Sequence, residues 1–309
     1  MKRILVTGAT GFIGRHCLAP LADKGYEVHA VTSNQSLQGD TIATWHQANL
    51  LDRTEIAPLF EEVAPTHLLH LAWVVDPGTA YFSQDNFRWV QSTLDMADEF
   101  ARCGGKRMTV TGTCYEYEQA YGVCSEQRTP LTPNTTYGTC KNSLRDMLTS
   151  YSQSLEISFA WPRIFFLYGP GEHPRRLVSS VANALLRGEE ANCSHGRQLR
   201  DFLYVKDLGD ALAALVDSEV QGPINIGQGS PVELREIVCK LGELAGRPDL
   251  IRLGAIAARD NEVPLVMADT ALMKQQLDWT PKFDLETGLQ ETLAWWEKQL
   301  EAEQAVGSA

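Results

Sequence analysis

The sequence predicts an α/β fold, a doubly wound parallel sheet of the Rossmann type with a smaller, mostly helical C-terminal substrate lobe. Three observations support this prediction. Short β-rich runs alternate with helical stretches through the first half of the chain, and such alternation builds a parallel sheet with helices on both faces. A glycine-rich turn joins the first strand to the first helix, as in dinucleotide-binding sheets. Beyond Tyr168 the helical patterns dominate.

Six runs in the first half have the β-branched and apolar composition of strands. They are Ile4–Thr7, Glu27–Val31, Trp45–Gln47, His67–Ala72, Arg107–Thr111 and Ile157–Trp161. Helical periodicity lies between them, for example over Ser83–Cys103 and Thr136–Ser154. Pro20 falls inside the first predicted helix, where a proline should cost a hydrogen bond. A sheet of this kind binds its ligands at the carboxyl ends of the strands, near the point where the strand order reverses.

At the turn cluster Tyr168–Gly171, the alternation of strand-like and helical runs gives way to mainly helical patterns. We expect residues 1–168 to form a dinucleotide-binding domain and residues 169–309 to form mainly a substrate-binding lobe. Short strand-like runs indicate that segments near 200–228 return to the first domain. The last residues, Glu301–Ala309, lack periodicity and are expected to fray.

The composition is that of a globular protein with an acidic surface. The formal net charge is −12, so nucleic acid and anionic membranes are not expected as partners, and an anionic substrate would need a local basic pocket. No apolar run approaches the ~20 residues of a membrane helix, and the apolar stretch near the N-terminus is too short for a signal peptide. A cytoplasmic location is therefore expected.

The cysteine pattern argues against a disulfide framework and against a zinc site. There are seven cysteines, an odd number, and no two have C-x-x-C spacing. Free thiols in a reducing compartment are the simpler interpretation. We expect no metal ion.

The turn Thr7-Gly8-Ala9-Thr10-Gly11-Phe12-Ile13-Gly14 follows a strand and opens a helix. Gly8 allows the tight turn, Gly11 lets the backbone approach a diphosphate, and Gly14 lets helix and strand pack closely. The helix N-terminus then offers free N–H groups and a positive dipole to the phosphates. With the strand before it and the helix after it, this turn predicts a dinucleotide site.

With the preceding Val6, this string resembles the extended short-chain dehydrogenase/reductase family, the NAD-dependent epimerases, dehydratases and reductases of sugar nucleotides. The likeness extends through nearly the whole chain. The resemblance implies that the glycine turn, a loop under the nicotinamide ribose and a later strand contact the cofactor. It also implies contacts from a pair of residues on the adenine side, in which Asn replaces the usual Asp. These residues are Gly8, Thr10, Gly11, Phe12, Ile13, Gly14, Asn49, Leu50, Leu71, Ala72 and Ile164. His70 and Asn86 match positions that support this part of the cofactor site in the family.

The end of the second strand favours NADP(H) over NAD(H). An acidic residue there usually holds the ribose hydroxyls of NAD, but this strand ends in Val31-Thr32-Ser33-Asn34. Ser33 and Asn34 can hydrogen-bond a 2′-phosphate, and Arg15 after the last glycine can add charge. NAD(H) remains the alternative, since family members with this loop use either cofactor.

Tyr137 and Lys141 are four residues apart in a predicted helix and so lie on the same face. A neighbouring ammonium and a cationic nicotinamide both favour the phenolate and are expected to lower the Tyr137 pKa. The phenol can then exchange a proton with a substrate hydroxyl while hydride moves to or from the cofactor. Thr113, just past a strand, resembles the family's catalytic Ser or Thr and would hydrogen-bond the reacting sugar oxygen. Tyr137 and Lys141 would also hold the cofactor.

The residues after Thr113 argue against a 4,6-dehydratase. That branch of the family carries Asp and Glu there, as the acid and base for water elimination. This chain has Cys114 and Tyr115 instead.

The substrate side resembles the family's diphosphate-binding segments, which implies a nucleoside-diphosphate sugar as the small-molecule partner. Arg200 carries over from the R-D-[FY] segment, and Arg259 and Glu262 from a later one; arginine suits phosphate because its planar fork donates two parallel hydrogen bonds. Phe166 stands where a substrate-binding asparagine is usual. Close behind it, His173, Arg175 and Arg176 are candidates to replace that contact, and we assign Arg176 to the substrate.

The resemblance also implies a homodimer, formed by two helices that pair with their copies. Apolar residues of those helices are Trp89, Leu94, Met96, Leu144, Met147 and Leu148.

Three functions remain open. The first is an NAD(P)-dependent reductase of a 4-keto-6-deoxyhexose nucleotide, the second is a C4-epimerase of nucleotide sugars with retained NAD, and the third is a non-catalytic dinucleotide-sensing module.

Overall fold

The computed structural model describes residues 2–34, 41–74, 76–258 and 262–307. The strands are β1 (Arg3–Thr7), β2 (Glu27–Thr32), β3 (Thr44–Gln47), β4 (His67–His70), β5 (Arg107–Val110), β6 (Gly112–Thr113), β7 (Val123–Cys124), β8 (Ser158–Ile164), β9 (Phe166–Tyr168), β10 (Ala191–Cys193), β11 (Leu199–Arg200), β12 (Phe202–Tyr204), β13 (Gly222–Ile226), β14 (Val232–Glu233), β15 (Ile251–Leu253) and β16 (Leu265–Ala268). The helices are α1 (Leu18–Asp23), α2 (Arg53–Val63), α3 (Asp85–Arg102), α4 (Thr136–Ser154), α5 (Leu177–Arg187), α6 (Val205–Val216), α7 (Leu234–Leu244), α8 (Ala271–Gln276) and α9 (Leu285–Gly307).

The central sheet has the strand order β3-β2-β1-β4-β5-β8-β13, with β6 beside β8. Every pair in it is parallel. The order reverses between β1 and β4, so the carboxyl ends of these two strands form the topological switch point, where such sheets bind ligands. The predicted doubly wound sheet is confirmed.

Helices cover both faces of this sheet, because the side chains of its strands alternate. In β1, Ile4 and Val6 join a core with α1 and α6, whereas Leu5 joins the opposite core with α2, α3 and α4. A third core lies in the C-terminal region between α5, α7 and α9. The predicted helical C-terminal lobe is therefore present, while β13 from that half of the chain completes the central sheet.

Pro20 fits its helix without the expected cost. A 3-10 turn at Gly14–His16 precedes α1, which begins only at Leu18. Pro20 is thus the third residue of the helix, where a backbone N–H would have no partner within the helix.

The last helix is longer than the sequence predicts. We expected Glu301–Ala309 to fray, but α9 continues to Gly307, so the expectation is wrong for that stretch. Leu289, Leu293 and Trp296 anchor the earlier turns in the C-terminal core. The residues that follow are mostly Glu, Ala and Gln, which extend an anchored helix at little cost. No helix in the described part of the chain is long and apolar enough to cross a membrane.

Candidate active site

The glycine turn lies at the switch point and needs its glycines for steric reasons. Gly8 has a φ of +67°, and a Cβ there would lie 2.8 Å from the Ala72 amide nitrogen. A Cβ on Gly14 would overlap the Gly8 carbonyl oxygen. The Gly11 amide closes the turn by donating to the Gly8 carbonyl at 2.9 Å. The loop has therefore no room for side chains on its packed side.

This loop fits the diphosphate of a dinucleotide. Among the described residues, no protein acceptor takes the amide hydrogens of Phe12 and Ile13, which is what an anion-binding helix N-terminus requires. Arg15 folds back onto the loop, donating to the carbonyl oxygens of Gly11 at 3.2 Å and Thr10 at 2.7 Å. Burial lowers the Arg15 pKa. In this structure Arg15 braces the turn.

A buried polar chain fixes the loop after β4 against the turn. Thr7 Oγ1 shares a 2.7 Å hydrogen bond with His70 Nδ1, and it accepts the amides of Leu71 and Ala72 at 3.2 and 3.3 Å. The other ring nitrogen of His70 bonds Thr93 at 3.0 Å. Burial lowers the His70 pKa to about 3, so the imidazole is neutral. His70 is a structural residue that places Leu71 and Ala72.

The residues assigned to the adenosine half lie along the same edge of the sheet. Ser33 and Asn34 are exposed just beyond β2, where Thr32 Oγ1 bonds the Asn34 backbone. Asn49 follows β3, and its side chain accepts the Leu51 amide at 3.2 Å. The next residue, Leu50, is buried. Because parallel strands end at one edge, all four residues share the side that carries the glycine turn.

Thr113 and Tyr137 meet at the end of β6. Thr113 pairs with Ile164 in the sheet, and its side chain lies near enough to the Tyr137 phenol to favour the phenolate. Tyr137 lies in the first turn of α4, which Thr135 caps by accepting the Gly138 amide at 3.0 Å. A Cβ on Gly138 would overlap the Tyr115 carbonyl oxygen. This close approach clamps the start of α4 against the segment after β6.

Lys141 lies one helical turn beyond Tyr137 and is buried. Its Nζ donates to the Thr111 carbonyl oxygen at 2.9 Å and lies 3.6 Å from the centre of the Trp73 ring. Burial lowers the Lys141 pKa to about 7, while the Glu116 carboxylate opposes that shift.

The Tyr137 pKa is raised by burial, which outweighs the hydrogen bond from Thr113 that favours the phenolate. Burial therefore opposes the lowering that we expected, which depends on Lys141 together with a bound cationic nicotinamide. The physical reason is desolvation, which penalises the charged form of a buried phenol.

Glu116 supports this site from below. Its carboxylate accepts the Thr113 amide at 2.8 Å, the Trp161 indole N–H at 3.0 Å and Arg163 Nε at 2.7 Å. Arg163 is fully buried and also donates to the Tyr117 hydroxyl at 2.9 Å. The carboxylate thus points into the core, away from the position of an acid or base acting on substrate.

A second polar group, the hydroxyls of Tyr81 and Tyr115, borders Tyr137. The Tyr81 hydroxyl donates to the Tyr115 hydroxyl at 3.0 Å, and their ring centres lie 6.1 and 6.3 Å from that of Tyr137. Arg176, the residue before α5, interacts with Tyr81 and Tyr115, which raises its pKa against the effect of burial. The structure therefore brings Arg176 to the tyrosines around Tyr137. Arg175 instead forms an ion pair with Asp76 at the surface.

Arg200 and Glu262 lie together in the C-terminal half. Arg200 is buried and pairs with Glu262 at 3.1 Å, and its guanidinium lies 5.6 Å from the centre of the Phe166 ring. Gln198 holds the second oxygen of Glu262 at 2.6 Å. Arg259 lies outside the described residues.

Sequence reasoning did not single out Trp73, Tyr81 or Glu116. Trp73 directly follows the predicted nicotinamide loop, so its position was a usable signal. Tyr81 reaches the site only through tertiary packing, where its backbone carbonyl oxygen accepts the Tyr137 amide at 3.0 Å. Glu116 could have been found as the Glu of a Thr-x-x-Glu capping box.

Known proteins with similar sequences and structures act on nucleotide sugars. UDP-glucuronic acid decarboxylase 1 of Xenopus tropicalis is 27% identical, over 97% of this chain and 73% of its own. The dTDP-6-deoxy-L-talose 4-dehydrogenase (NAD(+)) of Aggregatibacter actinomycetemcomitans is 27% identical, over 76% of this chain and 87% of its own. The solved structure of MoeE5 in complex with UDP-glucuronic acid and NAD is 29% identical and covers 96% of this chain and 99% of its own, with a TM-score of 0.82.

The family itself is decided by a match over most of the chain. The model of the NAD dependent epimerase/dehydratase family matches residues 4–227, which include the glycine turn, Thr113, Tyr137 and Lys141. This range covers the central sheet from β1 to β13, except for the first residue of β1. The chain belongs to the NAD dependent epimerase/dehydratase family.

Proposed function

We propose that this enzyme is an NAD(P)-dependent oxidoreductase of a nucleotide-activated sugar, and specifically a reductase of a 4-keto-6-deoxyhexose nucleotide. The observation that carries the proposal is that the Thr113 and Tyr137 side chains lie together, close enough for Thr113 to favour the Tyr137 phenolate. They lie at the carboxyl ends of the strands, with the Lys141 ammonium buried one turn below. That arrangement suits proton transfer at a carbinol or carbonyl oxygen.

The chain supplies the proton and the orientation. A bound nicotinamide dinucleotide supplies the hydride. The Tyr137 phenol, protonated at neutral pH because burial raises its pKa, donates its proton to the C4 oxygen as the ketone becomes an alcohol. The Thr113 hydroxyl donates a hydrogen bond to the same oxygen and stabilises the charge that develops there. Lys141 stabilises the tyrosinate that remains.

The two arginines suit the two ends of the substrate. Arg200 is assigned to the diphosphate, where its guanidinium would exchange part of its ion pair with Glu262 for phosphate oxygens. Arg176 is assigned to the sugar, because it reaches the tyrosines around Tyr137. Arg259 keeps its assignment as a prediction from the sequence.

The surroundings of Thr113 favour a reductase over a dehydratase. Cys114 and Tyr115 provide no carboxylate, and the carboxylate of Glu116 is bound within the core. A relative named as a 4-dehydrogenase supports redox chemistry at C4. An epimerase with retained NAD is the second candidate, favoured by the NAD in the MoeE5 structure.

Cofactor handling separates these two candidates. A reductase consumes one equivalent of reduced cofactor per 4-keto sugar, which can be followed by its absorbance. An epimerase is expected to be purified with bound NAD and to interconvert UDP-hexoses without added cofactor. The second result would contradict the reductase proposal.

For the cofactor we propose a preference for NADP(H). The described end of β2, Val31 to Asn34, has no carboxylate to repel a 2′-phosphate. We expect NADPH to bind more tightly than NADH when each is titrated against the protein by calorimetry. Ser33→Asp should reverse the order by adding a charge that repels the 2′-phosphate. Tighter binding of NADH to the unaltered protein would overturn the preference.

The role of Tyr137 is tested by Tyr137→Phe. Loss of one catalytic proton donor typically lowers the rate by about 10²–10⁴-fold, and we expect a fall in kcat of that size. Tyr121, an exposed tyrosine on a turn, provides the matched control, and Tyr121→Phe should leave kcat unchanged. Unchanged turnover in Tyr137→Phe would favour the dinucleotide-sensing module instead.

A further inference from the structure

The buried ammonium of Lys141 lies against the face of an indole ring. Its Nζ is 3.6 Å from the centre of the Trp73 ring and 5.9 Å from the centre of the Trp161 ring. The first distance is well within the range of a cation–π interaction, which strengthens when both partners are desolvated. Trp73 itself is buried.

The orientation of the Trp73 ring is fixed by hydrogen bonds. The indole N–H donates to Asn86 Oδ1 at 2.8 Å. The amide group of Asn86 in turn donates to the carbonyl oxygens of Ala80 at 2.7 Å and Ser83 at 2.8 Å. These hydrogen bonds hold the edge of the Trp73 indole, so the face of the ring stays against the Lys141 ammonium.

Few other groups compensate the charge of Lys141. One ammonium hydrogen goes to the Thr111 carbonyl oxygen. Of the titratable groups that face Lys141, His70 is neutral and Tyr137 is protonated. The Glu116 carboxylate is shared with Arg163 and Trp161. An ammonium buried with so little pairing tends to lose its proton.

We propose that Trp73 is a positioning residue: its indole face holds the Lys141 ammonium in place and keeps it charged in its buried site. This role rests on the proposed function of Lys141, since a charged lysine is what stabilises the tyrosinate of Tyr137. The Trp73 ring also meets the Tyr137 ring edge to face, with ring centres 6.5 Å apart, but in this proposal Trp73 acts on the reaction through the lysine.

The alternative is that Trp73 only fills space. Trp89 provides the comparison, because it stacks on Trp73 with ring centres 6.2 Å apart and belongs to the same core. Among the described contacts, however, only Trp73 and Trp161 present a ring to Lys141. A space-filling role predicts similar effects for both tryptophans, whereas the proposed role predicts an effect for Trp73 alone.

The test is a pH titration of Lys141 in the protein without substrate, followed by NMR of lysines labelled at Cε. Lys141→Gln identifies the signal. We expect the Lys141 pKa to fall by about one unit or more in Trp73→Leu. It should fall by clearly less in Trp73→Phe, which keeps a ring face, and stay unchanged in Trp89→Leu.

An unchanged Lys141 pKa in a folded Trp73→Leu protein would overturn the proposal, and so would an equal shift in Trp89→Leu. If Trp73→Leu does not fold, Trp73→Phe decides the question: a fall supports the proposal, and no shift overturns it. The titration requires no turnover. The titration can therefore fail while Tyr137→Phe still lowers kcat as expected, or succeed while the proposed reaction proves wrong.

Discussion

Burial acts in opposite directions on the pKa values of two neighbours in α4. It raises the pKa of Tyr137, whose charged form is an anion, and lowers that of Lys141, whose charged form is a cation. At neutral pH Tyr137 is therefore in its neutral form in the chain by itself, whereas Lys141, with a pKa of about 7, is only partly charged. A cationic nicotinamide beside Tyr137 would favour the phenolate, so the charged pair that the reaction requires depends on the bound cofactor.

His70 gives a prediction about stability and pH. Its pKa falls from 6.5 to about 3 on folding because the ring is buried. Below pH 6.5 the unfolded chain therefore binds a proton that the folded chain does not. The stability that neutral His70 contributes is complete above pH 6.5 and is lost as the pH falls toward 3.

Between pH 7.5 and 5.0 this effect should lower the free energy of unfolding by about 2 kcal/mol. Urea unfolding at both pH values measures it, and His70→Gln should lose that part of the pH dependence. The exposed His173 is the control, and His173→Gln should behave as the unaltered protein does. If the free energy of unfolding of His70→Gln depends on pH as strongly as that of the unaltered protein, His70 is not the responsible group.

At the scale of single elements, local signals predict some boundaries well. The predicted helix Thr136–Ser154 has the same bounds as α4, because Thr135 caps it through its own side chain. The end of α9 could not be predicted, since Leu289 and Trp296 anchor it through contacts with α5 and α7 that are distant in sequence. A helix cap is formed by residues that are neighbours in the sequence, whereas the anchoring of α9 depends on contacts between distant segments.

The last helix provides a prediction for an adjacent pair of tryptophans. Trp296 is buried in the C-terminal core, and its N–H donates to Ser179 Oγ at 3.2 Å. Trp295 is only partly buried at the edge of the same core. Trp296→Ala should lower the free energy of unfolding by about 3–5 kcal/mol, and Trp295→Ala by clearly less. Chemical denaturation of both variants measures the difference, and equal losses would refute the anchoring role of Trp296.

At the scale of the whole molecule, the predicted dimer remains a proposal. Met96, Leu144 and Leu148 of the two interface helices are fully buried within their own chain, so they are core residues and cannot contact a partner. Phe87 on α3 and Met147 on α4 are 62% and 40% exposed. Exposed apolar side chains on these paired helices suit a contact with a second copy.

We expect the protein to sediment as a dimer and the double variant Phe87→Lys, Met147→Lys to sediment as a monomer, because the added charges cannot be buried without partners. Leu253, exposed on β15, serves as the control, and Leu253→Lys should leave the dimer intact. A monomeric unaltered protein at micromolar concentration would contradict the prediction.

The two halves of the molecule are joined by groups that the sequence does not reveal. The buried carboxylate of Asp201 accepts the amides of Gln228, Gly229 and Ala268 at 2.7, 3.0 and 3.0 Å. The carboxylate thereby ties β11 and β16, the strand pair that includes Arg200, to the end of β13. In the sequence Asp201 is only the neighbour of a predicted phosphate-binding arginine.

The sequence by itself determined the parallel sheet, the glycine turn and the spacing of Tyr137 and Lys141, because strand alternation, left-handed glycines and helical periodicity are local properties of the chain. Only the tertiary structure decided what surrounds those residues. It placed the Trp73 ring under Lys141, the Tyr81–Tyr115 pair beside Tyr137 and the Glu116 carboxylate in the core. Electrostatic environment depends on burial and on contacts between distant segments, so the protonation of the site could be determined only after the chain was folded.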